Sequence, residues 1–99
     1  MNLFTFRAHR KVLGVLVTDS MSSDSGSAFP VGALIVEVTP GGAADKIGLL
    51  AGDVVIRLND KLVTKSSELT SAVRQERKGT LVEIEILRDG NKLVFDVVL

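Results

Sequence analysis

The 99 residues predict a mainly β, α+β domain: a partly open antiparallel β-sandwich or barrel of five to six strands, capped by one short and one long helix. Three observations lead there. Short β-branched or alternating apolar segments recur between turn signals. Only one long segment carries helical spacing. The strands do not alternate with crossover helices, as a parallel sheet would require. Two packed layers around a single core suit a chain of this size.

The elements follow in order. Residues 3–6 read as a short strand and residues 7–11 as a basic loop. The run Val12-Leu13-Gly14-Val15-Leu16-Val17-Thr18 suits a strand. Residues 19–31, rich in Ser, Asp and Gly, read as a flexible loop. A second strand covers residues 33–38 and stops at Thr39-Pro40-Gly41-Gly42. Residues 43–47 fit one or two helical turns with Gly48 as C-cap. Residues 53–58 form the next strand, turned back at Asn59-Asp60 into Lys61-Leu62-Val63. The long helix is expected over 66–78, with Ser66 or Ser67 as N-cap, Glu68 in the first turn and Gly79 at its end. Its apolar residues Leu69, Ala72 and Val73 are spaced three and four apart. A terminal hairpin closes the chain: Val82, Ile84 and Ile86 share one face of its first strand, Asp89-Gly90 make the turn, and Leu93, Phe95, Val97 and Leu99 alternate in the second.

Composition excludes several classes. The chain carries 12 basic and 12 acidic residues for a formal net charge of zero, whereas nucleic-acid binders show a basic excess for phosphate neutralisation; no nucleic-acid partner is expected. Cysteine is absent and histidine occurs once, so disulfides and thiolate metal sites are ruled out and no cofactor or metal is expected. No apolar run approaches the ~18 residues of a membrane span. The start lacks the pattern of a signal peptide, which favours an excised domain over a cytosolic protein.

Two enzyme-like signals fail on chemistry. Ser23-Asp24-Ser25-Gly26-Ser27 is superficially like a serine-protease nucleophile loop, but that mechanism needs a histidine held by a carboxylate, and the one histidine, His9, sits in the basic loop. Pro40-Gly41-Gly42 lacks the remainder of a phosphate-binding loop. No catalytic residue is expected.

The most specific pattern is Gly48-Leu49-Leu50-Ala51-Gly52-Asp53-Val54-Val55-Ile56-Arg57-Leu58-Asn59-Asp60, with Pro40-Gly41-Gly42-Ala43-Ala44 before it and Arg88-Asp89-Gly90 after the helix. Over residues 12–99 it resembles the bacterial-type PDZ domain of HtrA/Deg serine proteases. Three positions depart from the family's usual residues: Ala43 for Pro, Ile47 for Ala and Asp60 for Gly. None lies in the expected peptide groove.

The resemblance implies a non-catalytic module that binds extended apolar C-terminal peptide segments by β-strand addition, as the regulatory or substrate-recognition part of an HtrA/Deg-like protease. Val12, Leu13, Gly14 and Val15 match the carboxylate-binding loop. A glycine among apolar residues lets the amides of Leu13, Gly14 and Val15 converge on one anion. Taken alone, Leu13-Gly14-Val15 reads as a buried strand with a bulge glycine; its place ahead of the larger pattern turns the reading to a loop. The strand Val15, Leu16, Val17, Thr18 then offers its ladder to a peptide. Ser66, Thr70 and Val73 form the helix wall of the groove, with Ser66 equally readable as a cap. Leu13, Val15, Val17 and Val73 would line the terminal pocket and select Val, Leu, Ile, Ala or Phe. Arg10 and Lys11 would attract the carboxylate, although a charge run in a loop is commonly only solvated.

One domain, 1–99, is expected, with residues 1–11 either an extra strand or a linker. A linked protease domain and a bacterial periplasmic or envelope setting follow only if the HtrA likeness holds. The alternative is an assembly module whose groove is filled by a neighbouring chain or covered by its own loop.

Overall fold

The computed structural model describes residues 10–20 and 31–99. Seven strands and two helices follow the order β1 (Arg10–Val12), β2 (Val15–Asp19), β3 (Ala33–Val38), α1 (Ala43–Ile47), β4 (Val54–Leu58), β5 (Lys61–Leu62), α2 (Ser66–Arg74), β6 (Leu81–Arg88) and β7 (Asn91–Val98). All pairings are antiparallel, in the sheet order β1-β2-β3-β4-β6-β7 with β5 beside β4. The sheet and both helices enclose one core, built from Val15, Val17, Ile35, Val55, Leu58, Leu69, Ile84 and Ile86 among others. This is the expected α+β class, with seven strands among the described residues.

Alternation decides which face is buried. In β6, Val82, Ile84 and Ile86 are at most 1% exposed while Glu83 faces solvent, as period-two patterning requires. The Asp89-Gly90 turn holds both residues at positive φ, 53° and 82°, the geometry that matches strand twist in a two-residue hairpin. In the Asn59-Asp60 turn, Asn59 takes the left-handed conformation (φ 52°) and Asp60 does not. Aspartate at position 60, where the family usually has glycine, therefore carries no backbone strain.

Three boundaries differ from the sequence expectation. The strand expected over residues 12–18 is broken at Leu13-Gly14, both at positive φ, so residues 10–12 fold back as a separate strand. The long helix stops at Arg74 instead of residue 78, because its apolar residues end at Val73 and the Gly79 amide must reach the Leu99 carbonyl, 2.7 Å away. Neither Ser66 nor Ser67 is the N-cap. Lys65 holds that position in an extended conformation with no side-chain cap of its own. The strand expected over residues 3–6 and most of the 19–31 loop lie outside the described residues. The base of that loop is closed by two 3.0 Å hydrogen bonds, from the Ser20 amide to the Gly32 carbonyl and from the Gly32 amide to Ser20 Oγ.

Two polar arrangements fix the elements. Asp53, with its side chain 2% exposed, accepts a two-pronged contact from Arg88: Nε to Oδ1 at 2.8 Å and Nη2 to Oδ2 at 2.7 Å. The Leu50 amide donates to Oδ2 at 2.9 Å. Arg88 Nη2 also reaches the Gly48 carbonyl at 2.9 Å, and its guanidinium lies 5.9 Å from the centre of the Phe95 ring. Hydrogen bonding to Asp53 holds the Arg88 pKa above its ordinary value. At the start of α2, the amide and hydroxyl of Thr64 both donate to Glu68 Oε1 at 2.7 Å. These bonds, the amide foremost, hold the Glu68 carboxyl below its ordinary pKa.

Removing the Asp53 carboxylate leaves a guanidinium and an amide without their acceptor. Asp53→Ala is expected to cost about 3 kcal/mol, seen as a lower urea midpoint at unchanged m value; an unmoved midpoint would show that the pair is dispensable. Glu68 gives the pH test. Because its folded pKa lies below its unfolded value, its contribution is present above the unfolded pKa and is lost as pH falls through the folded pKa. The stability gap between wild type and Glu68→Gln should accordingly be larger at pH 7 than at pH 3. A gap constant across that range would remove Glu68 from the acid response.

Candidate peptide groove

The edge of β2, the Leu13-Gly14 turn and α2 meet at one side of the sheet. Backbone bonds pin the turn from behind. The Ala44 amide donates to the Leu13 carbonyl at 3.2 Å, and the Thr39 amide to the Gly14 carbonyl at 2.8 Å. Across a trans peptide the N–H points opposite to the C=O, so the amides of Gly14 and Val15 face away from α1 and β3, toward the β2 edge. Glycine is needed at position 14 on two counts. Its φ is 78°, and an added Cβ would stand 3.3 Å from the Ala43 nitrogen and 3.4 Å from Gly42 Cα. Leu13 has no such freedom yet is held at φ 57°, a conformation that a γ-branched residue disfavours.

Beside the turn lies a cleft of about 530 Å³. Leu13, Gly14 and Val73 form one part of its lining, Val98 and Leu99 another, and Arg74 and Lys78 supply positive charge against the one acidic side chain, Glu76. The structure thus brings Leu13 and Val73 to one cleft. Val15 and Val17 do not line this cleft; at 3% and 0% exposure they belong to the core cluster, against which Leu13 and Val73 pack. Leu16 and Thr18, half-buried, alternate with them on β2. The sequence reading missed Arg74, Glu76, Lys78, Val98 and Leu99, because only the closing of Leu99 onto Gly79 and Thr80, just after α2, makes them neighbours. Arg10, Lys11 and Val12 lie on β1.

The helix wall is more polar in its commitments than its sequence implies. Ser66 is 1% exposed, and both its amide and its hydroxyl donate to Asp19 Oδ1 at 2.7 Å. The carboxylate that serves the first turn of α2 therefore comes from the end of β2, 47 residues earlier, where an anion also opposes the positive end of the helix dipole. Thr70, 8% exposed, donates its hydroxyl to the Ser67 carbonyl at 3.0 Å. Val73 remains half-buried at the cleft. The groove is thus anchored at both ends, by Asp19–Ser66 at one and by the pinned turn at the other.

β1 occupies the edge itself. Arg10 pairs with Val17, Lys11 with Leu16 and Val12 with Val15, and α2 approaches β1 more extensively than it does any other strand.

Comparison with known proteins agrees with this architecture. The PDZ domain family matches residues 11–99. The periplasmic pH-dependent serine endoprotease DegQ of Escherichia coli (strain K12) is 37% identical over 94 residues, covering 91% of this chain and 20% of that protein. A probable periplasmic serine endoprotease DegP-like of Ectopseudomonas mendocina (strain ymp) is 36% identical over 84 residues, covering 81% of this chain and 18% of its own length. The chain thus spans about a fifth of the length of these relatives. Among solved structures, the HtrA-type protease AlgW with decapeptide superposes at a TM-score of 0.76 and 26% identity, over 91% of this chain and 29% of that one. The HtrA3 PDZ domain bound to the phage-derived ligand FGRWV gives 0.74 at 23% identity, over 91% and 85%. With a family match over nearly its whole length and a fold to suit, the chain belongs to the PDZ domain family, a class of binding modules.

Proposed function

We propose that this domain binds extended, apolar C-terminal peptide segments by adding them as a strand along β2, facing α2. The observation that carries the reading is the pinned Leu13-Gly14 turn. Its carbonyls are consumed by Ala44 and Thr39, which turns the Gly14 and Val15 amides toward the point where a peptide antiparallel to β2 would end. Converging amides suit a carboxylate, and the backbone ladder of β2 supplies sequence-independent affinity.

Specificity comes from the neighbouring cleft. Leu13 and Val73 present apolar surface to a terminal Val, Leu, Ile, Ala or Phe, while Arg74 and Lys78, outweighing Glu76 by one charge, favour an anionic end. Ser66 and Thr70 contribute through the wall's position, since their polar groups are already engaged. A short peptide buries little surface and loses chain entropy, so affinity is modest. Placed in a longer chain, the domain would serve as the regulatory or substrate-recognition part of an HtrA/Deg-like serine protease of the bacterial periplasm, with catalysis in another domain. The periplasmic endoproteases that resemble it over a fifth of their length and the decapeptide-bearing AlgW support that setting.

A second reading is an assembly module whose groove is closed by protein, favoured by the strand that β1 already lays on β2. The two separate in one experiment. Fluorescence polarisation is measured on the full chain with a labelled pool of decapeptides ending in free Val, Leu, Ile, Ala or Phe, and with amidated copies. Saturable binding is expected for the free acids, at least tenfold weaker for the amides and for Val73→Glu, equivalent to about 1.4 kcal/mol. Equal binding of acids and amides would refute carboxylate recognition, and no binding at all would favour the assembly module.

A further inference from the structure

We infer that β1 is an intramolecular stand-in for the peptide, so that a ligand enters by displacing residues 10–12 from the edge of β2; this rests on the peptide-binding reading above. Three features of the backbone point the same way. β1 pairs with the same edge of β2 that an added strand would use. It is antiparallel to β2 and runs toward the Leu13-Gly14 turn, the direction in which a peptide would bring its carboxylate to that turn. It also lies beside α2, the other wall of the groove.

The competition is mutually exclusive at the atomic level. With Val12 opposite Val15 across a two-residue turn, the Val15 amide is directed at the Val12 carbonyl, so an amide meant for the carboxylate is already in use. An edge strand has only one free side, and two segments cannot pair with it at once.

The closed state is also weakly held. β1 has three residues, whereas β6 and β7 have eight each. Its connection forces Leu13 to φ 57°, and releasing β1 lets Leu13 relax. Such balance permits exchange: the affinity seen for a peptide is the intrinsic affinity reduced by the fraction of molecules with β1 released. The segment before the turn thereby sets the threshold for ligand entry. Anything that draws residues 10–12 away, such as tension from a preceding domain, would raise affinity without touching the groove.

The chain has no cysteine, which permits a clean lock. Lys11 and Leu16 face each other as the pair next to the hydrogen-bonded Val12–Val15 pair, and this closer, non-hydrogen-bonded type of pair suits a cross-strand disulfide. In the full-length double variant K11C/L16C, oxidation is expected to form the intramolecular bond, and the labelled decapeptide pool to slow its formation. The oxidised protein should bind that pool at least ~10-fold more weakly than the same protein after reduction. As a second variant, Arg10→Pro removes the amide that β1 presents to Val17 and should tighten binding several-fold, the opposite of what loss of a carboxylate-attracting arginine would do.

Failure of the disulfide to form without peptide would show that β1 does not hold this edge and would overturn the inference. Equal peptide affinity of oxidised and reduced forms would overturn displacement while leaving peptide recognition intact. Silence of both forms and of the wild type would overturn the recognition reading together with this one.

Discussion

The Asp53–Arg88 contact is the constraint from which the rest of the domain is hung. It joins the turn after α1 to the turn end of the terminal hairpin, 35 residues apart, and does so with a planar fork that fixes orientation as well as distance. The backbone of the same segment holds β3: the Ile35 amide donates to the Asp53 carbonyl and the Gly52 amide to the Ile35 carbonyl, each at 2.8 Å. One buried carboxylate thus sets where β3, β4 and β6 stand relative to each other. The far end of β3 then carries Thr39, whose amide holds the Gly14 carbonyl. The site is therefore two steps from the ion pair, through one strand.

That route explains why a disfavoured backbone can persist at the turn. A leucine in the left-handed region costs about 1–2 kcal/mol. It is tolerated because α1 and β3 fix both carbonyls of the turn, and because Gly14 allows the backbone to sit against Gly42 and Ala43. The strain lies where the chain changes from core to ligand edge, which is where a small energy difference can decide between two partners. A rigid scaffold and a marginal edge are compatible, since the bonds holding the turn lie behind it and β1 lies in front.

How much of this was legible in the sequence follows from the range of each interaction. Hairpins declared themselves, because Asp89-Gly90 and the alternation on either side are local signals. So did α1 and its Gly48 cap at φ 95°. The Gly52-Asp53 and Arg88-Asp89-Gly90 motifs were legible as a family resemblance, and the structure gives their physical content: they are the two halves of one ion pair and a turn. What was not legible depends on pairs distant in sequence. The cap of α2 was assigned to its own serines, but Asp19 from β2 provides it. Val15 and Val17, expected at the terminal pocket from the family resemblance, belong to the buried core cluster, a burial that the sheet register decides. The break at Leu13-Gly14 was legible only through the family resemblance, because a leucine at positive φ is the last residue that local rules would choose.

The groove's two fixed ends determine what kind of recognition it can perform. Asp19–Ser66 sets the separation of β2 and α2 at one end, and the pinned turn sets the depth at the other, so the space between them is defined whichever strand lies in it. Exchange of one strand for another then requires no rearrangement of the walls, only the loss of one ladder and the gain of the next. On the binding mode proposed above, affinity differences among peptides arise where the strands differ, at the terminal side chain against Leu13 and Val73 and at the free carboxylate that β1, continuous with the turn, cannot supply. The edge offers hydrogen bonds that any backbone can satisfy; a chain terminus is what distinguishes a ligand from the segment it replaces.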